Sequence, residues 1–150
     1  MIGAQPTSFL MEQNHKLSSE SKKAIAISSQ YRRLVGRLIY LTITHPDITY
    51  AINILSQFMY DPRQGHWDAA MRVPHYLKSS PGQSILLPAQ NNLQIFVYCD
   101  SNWATCWMSR QSTTGYLVKL GDALVSWKTK RQETVSRSLV EAEYRYGQRY

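Results

Sequence analysis

The spacing of apolar residues changes once along this 150-residue chain. Between residues 31 and 78 apolar side chains recur every three or four positions, as at Tyr31, Leu34 and Leu38, which is the period of a helix with one apolar face. From residue 93 onward apolar and polar residues alternate, which is the period of a strand. The sequence therefore predicts N-terminal helices followed by a sheet, an α+β fold.

Three helices are predicted in the first part of the chain. The first begins near Tyr31 and ends near His45, because a residue that precedes proline is pushed out of helical geometry. The second begins at Pro46, since proline is tolerated in a first helical turn. The third covers residues 67–78, and Pro74 in its interior removes a backbone donor and is expected to kink it. The apolar faces of the first two helices form either a core or an exposed surface, and an exposed surface predicts self-association.

A three-stranded antiparallel sheet is predicted in the second part. The predicted strands cover residues 93–99, 113–120 and 123–128, with a further extended segment at 134–136. Gly121 and Asp122 form a hairpin turn signal between the second and third strands. Ser138 and Glu141 have the spacing of a capping box, so a helix is expected to open at Leu139. The chain ends soon afterwards, and we expect an incomplete domain whose last helix is truncated.

The net charge and the length of the apolar runs indicate which kinds of partner the chain can bind. Seventeen Lys and Arg residues against ten Asp and Glu residues make a formal charge of +7, which favours encounters with polyanions such as nucleic acid. An ordinary solvated cationic surface explains the same charge. No apolar run approaches the roughly 20 residues that cross a bilayer, so no membrane partner is expected.

The number of cysteines and the first residues of the chain indicate the cellular compartment. The start of the chain lacks the basic and apolar regions of a secretory signal, and two cysteines fit a reduced environment. The sequence therefore favours an intracellular location, cytoplasmic or nuclear, over secretion. The four histidines lack zinc-ligand spacing, so a structural zinc site is not expected.

Long blocks of this sequence follow one another in a recognisable order. They are YRRLVGRLIYLTITHPDITYAINILSQFM at 31–59, LQIFVYCDSNWA at 93–104 and STTGYLVKLGDALVSWKTKRQETVSRS at 112–138. These blocks resemble plant copia-type retrotransposon Pol polyproteins, over nearly the whole chain. The resemblance implies a polar N-terminal arm at 1–30, the helical connection region of reverse transcriptase at 31–82 and a partial ribonuclease H-like domain at 83–150. The Tyr-x-Asp-Asp signature of the polymerase palm does not occur, so polymerase activity is not expected.

The resemblance also implies a site. Asp100, in VYCDS at the end of the first strand, matches the first catalytic carboxylate of ribonuclease H. The next carboxylate matches Glu143, before Tyr144, with Glu141 as the alternative. Intact relatives hydrolyse the RNA strand of RNA–DNA hybrids with a pair of Mg²⁺ ions, which need several converging oxygen ligands. Asp100 and Glu143 alone are expected to hold at most one weak ion, so we expect no stable cofactor and no activity by the chain alone. Asn102, where the family usually has a second acid, strengthens that expectation.

Other readings of these residues remain open. Asp100 also fits an aspartate that ends a strand in a turn, and Glu143 fits a solvated helix residue. The chain is alternatively a non-enzymatic nucleic-acid-binding module, or a remnant of a mobile element without function. The binding module would contact an RNA–DNA hybrid or another nucleic acid through a basic strip that consists of Lys128, Lys130, Arg131 and Arg137. Trp103 and Trp107 would stack on bases or close over the end of the sheet.

Overall fold

The computed structural model describes residues 5–11, 17, 28–106 and 109–147. They belong to two compact units, Met1–Ser84 and Ile85–Tyr150. The predicted boundary at 82/83 lies two residues from this division, and most of the predicted arm at 1–30 lies outside the described residues, as does Trp107. In the described ranges no helix is long and apolar enough to span a membrane.

The first unit contains three α-helices, α1, α2 and α3, and one short 3-10 helix. Their bounds are Ser28–Leu41 for α1, Pro46–Ile48 for the 3-10 helix, Thr49–Ser56 for α2 and Gln64–Ser79 for α3. α1 ends four residues before the predicted end, and its last carbonyls accept hydrogen bonds from the turn at 42–45. The predicted second helix is divided, because its first turn at Pro46 adopts the tighter 3-10 geometry.

Apolar residues of all three helices form the core of this unit. Tyr31 is fully buried, and its hydroxyl donates a 2.7 Å hydrogen bond to the carbonyl of Leu55, which ties α1 to α2. Burial raises the pKa of the Tyr31 hydroxyl far above its usual value. The buried core residues are Tyr31, Val35, Leu38, Ile48, Ile52, Leu55, Ala70 and Val73. Of the two alternatives for the apolar faces of α1 and α2, a core is found for these residues, and self-association through the exposed remainder of the helix faces stays a prediction.

Polar contacts fix the ends of α3. It begins three residues earlier than predicted, where the Arg63 amide donates to Nδ1 of His66 at 2.9 Å and the His66 ring stacks on Phe58. Further along, the Tyr76 hydroxyl donates to Oδ2 of Asp47 at 2.9 Å and thereby joins α3 to the 3-10 helix. The helix continues through Pro74 to Ser79.

The second unit is an antiparallel sheet with one helix, and the α+β class is confirmed. Its strands are β1 (Ile95–Asn102), β2 (Thr113–Leu120) and β3 (Ala123–Arg131), in the order β1-β2-β3. The helix α4 covers Leu139–Gly147 and packs on β1. The prediction of a further extended segment at 134–136 is wrong, because these residues form a bend and a loop before α4.

The turn between β2 and β3 requires glycine. Gly121 has φ +55°, in the left-handed region, and its amide donates to the carbonyl of Gln94 at 2.7 Å. A Cβ atom at this position would overlap the side chain of Asn91. The Asn91 amide oxygen in turn accepts the Asp122 N–H at 3.0 Å, so the turn is held against the segment that precedes β1.

Candidate functional site

Asp100 and Ser101 lie side by side in β1 but point to opposite faces of the sheet, because successive side chains of a strand alternate. The register aligns Ser101 with Thr114 and Lys130, and Asp100 with Gly115 and Thr129. Ser101 is buried, and its hydroxyl contacts the carbonyl of Ala142 in α4 at 3.3 Å. The face that carries Ser101 is therefore the face that α4 covers, and Asp100 lies on the other one.

The carboxylate of Asp100 is exposed and makes a local contact. Its Oδ1 atom accepts the N–H of the next residue, Ser101, at 2.9 Å. This contact is typical of an aspartate that satisfies backbone donors at a strand end. Both readings of Asp100, ancestral ligand and local cap, are compatible with its position; the contact that it makes in the structure is the local one.

A half-buried glutamine, Gln132, holds α4 on the sheet. Nε2 of Gln132 donates to Thr114 Oγ1 and to the carbonyl of Ala142, both at 2.9 Å, and lies 3.3 Å from Ser101 Oγ. Its Oε1 atom accepts a 2.9 Å hydrogen bond from the Ser136 hydroxyl. We call Ser101, Thr114, Gln132, Ser136 and Ala142 the polar hub. Each buried polar group in it has a partner, which buried polar groups require.

Trp103 extends this network at the end of the sheet. Its indole Nε1–H donates to the carbonyl of Ser136 at 2.8 Å, while the side chain as a whole is 46% exposed. The contact fits the reading in which Trp103 closes over the sheet end. The exposed part of the ring is still accessible to a ligand.

The start of α4 is a cap built from Ser138 and Glu141. The Glu141 amide donates to Ser138 Oγ at 3.2 Å, and its carboxylate accepts the Arg137 N–H at 2.6 Å. The same carboxylate pairs with Arg145 at 2.7 Å, one turn along the helix. The backbone hydrogen bond from Arg137 and the Arg145 charge lower the pKa of Glu141. Glu141 thus has a structural role at the helix end.

Glu143 differs from Glu141 in its surroundings. It follows the buried Ala142 and is exposed on α4. Among the described residues, no three or more His, Cys, Asp or Glu side chains form a group that could hold a metal ion. A cage for two Mg²⁺ ions needs carboxylates from several elements, and the expectation that Asp100 and Glu143 do not supply one stays a prediction.

The basic strip is divided between the two faces of the sheet. Lys128 and Lys130 are two residues apart in β3 and share the face of Ser101, whereas Arg131 lies on the face of Asp100. All three are exposed, and Lys130 makes a 3.5 Å ion pair with Glu133. Arg137 is exposed before α4. The sequence alone did not indicate this division.

The polar hub was not predicted from the sequence. Thr114 and Ser101 follow the strand alternation, but nothing in the pattern separates them from solvated hydroxyl residues. Gln132 lies just beyond β3, in a segment without periodicity. Only the fold brings these side chains together.

Similar proteins were found among curated sequences. The chain is 43% and 41% identical, over 145 residues each, to the retrovirus-related Pol polyproteins from transposons RE1 and RE2 of Arabidopsis thaliana. These matches cover 97% of this chain and 10% of each polyprotein, so the chain spans about a tenth of the length of these relatives. It is also 43% identical over 128 residues to an uncharacterized mitochondrial protein of Arabidopsis thaliana, covering 85% of this chain and 53% of that protein. No protein-family profile and no solved structure matches the chain.

Substitution of Gln132 by alanine tests the polar hub. Gln132→Ala removes the bonds to Thr114 and to the Ala142 carbonyl and the bond from Ser136, and we expect the second unit to lose about 3 kcal/mol of stability, at about 1 kcal/mol for each hydrogen bond. Urea unfolding and amide hydrogen exchange of α4 measure the effect. Gln94→Ala, at an exposed position, is the matched control and is expected to change stability by less than about 0.5 kcal/mol. Equal effects of the two substitutions would contradict the role of the hub.

The capping contact of Glu141 predicts a pH dependence of α4. The pKa of Glu141 is lower in the folded chain than its usual value of 4.5, so its stabilisation is present above pH 4.5 and is lost as the pH falls through the folded pKa. Amide exchange or NMR chemical shifts of α4, followed from neutral pH into acid, should therefore show loosening of the helix below pH 4.5. Glu141→Gln should flatten that profile, whereas Glu143→Gln should retain it.

Proposed function

The chain belongs to the copia-type retrotransposon Pol polyproteins, and from that premise we propose that it supplies the link between the reverse transcriptase and ribonuclease H regions of such a polyprotein. In this proposal the first unit is the helical connection region. The second unit is the first three strands and first helix of a ribonuclease H-like domain. The antiparallel meander followed by a helix that packs on its first strand supports this assignment.

In the same proposal Asp100 and Glu143 descend from catalytic carboxylates but do not form a working nuclease site in this chain. The observation that carries it is the direction of Asp100, on the sheet face opposite to α4, with its carboxylate bound to a backbone N–H. Two-metal hydrolysis needs carboxylate oxygens on both ions at once, and an Asp100 that lies on the sheet face opposite to α4 does not converge there with an acid of that helix. Glu141 does not replace Glu143, because its carboxylate already binds Arg137 and Arg145.

A cleavage assay on an RNA–DNA hybrid tests this proposal. The 150-residue chain, incubated with the hybrid and Mg²⁺ or Mn²⁺, is expected to release no more RNA product than Asp100→Asn does. Asp122→Asn, which removes the same charge at the exposed hairpin, is the matched control. Cleavage that persists in Asp122→Asn and disappears in Asp100→Asn would overturn the assignment of the chain as inactive.

Binding of nucleic acid without cleavage is the second candidate. It is supported by Lys128 and Lys130, which are exposed on one sheet face and spaced to follow a phosphate backbone. The overall positive charge adds to this attraction. Arg131 lies on the other face of the sheet. Arg131 and Arg137 would therefore add only to the overall positive electrostatic potential of the second unit.

The salt dependence of the binding constant distinguishes a binding site on β3 from attraction by the overall charge of the chain. For a labelled RNA–DNA hybrid, Lys128→Ala/Lys130→Ala should weaken binding and reduce the slope of log Kd against log salt concentration by about 2, one for each lost phosphate contact. Arg33→Ala/Arg37→Ala removes the same charge from exposed positions of α1 and should leave the slope nearly unchanged. Equal changes for the two double substitutions would contradict a site on β3.

A further inference from the structure

The start of α3 is held by a histidine that is buried in the first unit. His66 is 1% exposed, and its ring stacks on the Phe58 ring with a distance of 4.0 Å between the ring centroids. Phe58 lies in the loop between α2 and α3, so this stack joins the loop to the helix. His66 is the third residue of α3, and its ring is therefore buried at the first helical turn.

Two hydrogen bonds connect His66 with Arg63, the residue that precedes the helix. The Arg63 N–H donates to Nδ1 of His66 at 2.9 Å, and the His66 N–H donates to the Arg63 carbonyl at 2.9 Å. In a capping box, the side chain of the third helical residue accepts the same backbone N–H, and that residue is usually Glu or Gln. His66 takes this place here, and we call Phe58, Arg63 and His66 the histidine cap.

The hydrogen bond from Arg63 fixes the protonation state of the His66 ring. A backbone N–H is always a donor, so Nδ1 is the unprotonated nitrogen and the ring is the neutral tautomer with its hydrogen on Nε2. A charged imidazolium carries hydrogens on both nitrogens and cannot accept this bond. Histidine is also the side chain whose unperturbed pKa, about 6.5, lies closest to physiological pH. Mild acid therefore acts on the one acceptor that closes the cap.

Three physical effects oppose a proton on His66 while the cap is closed. The Arg63 N–H loses its acceptor, and a buried position disfavours the charged form of the ring. The first turn of a helix also carries the positive end of the helix dipole, where a cation is unfavourable. The Phe58 ring acts in the opposite direction, because an aromatic face attracts a cation, but it does not replace the lost acceptor.

The charged groups around the cap do not offset these effects. α2 contains no charged residue. Each carboxylate of the first unit in the described ranges has another partner: Asp47 accepts the Tyr76 hydroxyl, Asp61 pairs with Arg63 at 2.6 Å, and Asp68 accepts the side-chain amide of Gln64. From α1, the Arg32 guanidinium donates to the Met59 carbonyl in the loop that carries Phe58, which adds a second cation beside Arg63.

We propose that His66 is a pH-sensitive switch of the first unit: its neutral ring closes the start of α3 on the preceding loop, and protonation of Nδ1 releases the two. In the open form the ring is free to take up a proton near pH 6.5, whereas in the closed form Nδ1 is occupied, so the open form binds more protons below that pH. The stabilisation by the cap is therefore complete above about pH 6.5 and falls as the pH drops below it. For one proton, the equilibrium constant for opening rises about tenfold for each pH unit.

NMR of the full chain tests the switch directly. At pH 7.5 the imidazole nitrogen shifts of His66 should identify the neutral tautomer with hydrogen on Nε2. Amide exchange of Arg63 and Trp67, whose N–H groups are bonded in the first turn, measures opening after correction for the intrinsic pH dependence of exchange. The opening constants should be level from pH 8 to pH 7 and rise about tenfold per pH unit below pH 6. This range lies above the pH 4.5 at which the effect of Glu141 begins.

One substitution and a matched control in the same helix separate His66 from other titrating groups. His66→Gln supplies a side-chain oxygen that can accept the Arg63 N–H but does not titrate, so the rise below pH 6 should disappear. His75→Gln makes the same change outside the cap and should keep the rise. A rise that persists in His66→Gln, or that is lost equally in both variants, would overturn the proposal.

The unmodified chain decides the outcome even where circular dichroism shows that His66→Gln does not fold. A His66 ring with hydrogen on Nδ1 at pH 7.5 would contradict the cap. Opening constants of Arg63 and Trp67 that stay level from pH 7 to pH 5 would contradict the switch.

Discussion

The side-chain amide of Gln132 is the contact on which the second unit depends. It bonds a hydroxyl of β2, at Thr114, and a carbonyl of α4, at Ala142, so one half-buried side chain fixes the helix to the sheet. An amide in this position is stabilising only while all its partners are present, because a buried polar group without a partner costs more than a hydrogen bond contributes. The helix is held at the Ser101 end of the sheet, and the part of the same face around Val97 stays uncovered.

The bounds of a strand could be predicted from the sequence where the residues of that strand and its turn determine them. β2 has the predicted bounds, Thr113–Leu120, because β-branched, aromatic and other apolar residues fill most of its length and Gly121, which adopts positive φ, defines its end. The segment 134–136 has strand-forming residues but is not a strand. Its Ser136 is turned toward Gln132, and the last backbone bond of the sheet joins Gln132 to Ser112. Whether a segment forms a strand depends on the segments that pack beside it in the fold, and a single sequence does not show which segments these are.

Tertiary packing also decided the helices. α3 includes Pro74 although the missing N–H costs about 3 kcal/mol, because Ala70 and Val73 are fully buried in the core and most helix stability comes from such packing. Its start was missed because Arg63 and His66 are not the Ser, Thr, Asp or Asn residues by which caps are recognised. The apolar spacing of α1 and α2 predicted that their faces are buried somewhere, but the period does not say which partner covers them.

In the candidate site, too, some features follow from the local sequence and others from tertiary packing. The alternation over residues 93–99 was enough to predict a strand that reaches Asp100, although β1 begins at Ile95 and continues to Asn102, and the Ser138–Glu141 spacing was enough to predict the start of α4. Which face of β1 the helix covers depends on the path of residues 132–138, where the polar hub forms, and no periodicity encodes that path. Since α4 covers the face of Ser101, Asp100 points the other way and bonds the Ser101 N–H. A carboxylate that resembles a metal ligand in sequence thus accepts a hydrogen bond from a backbone N–H of its own strand.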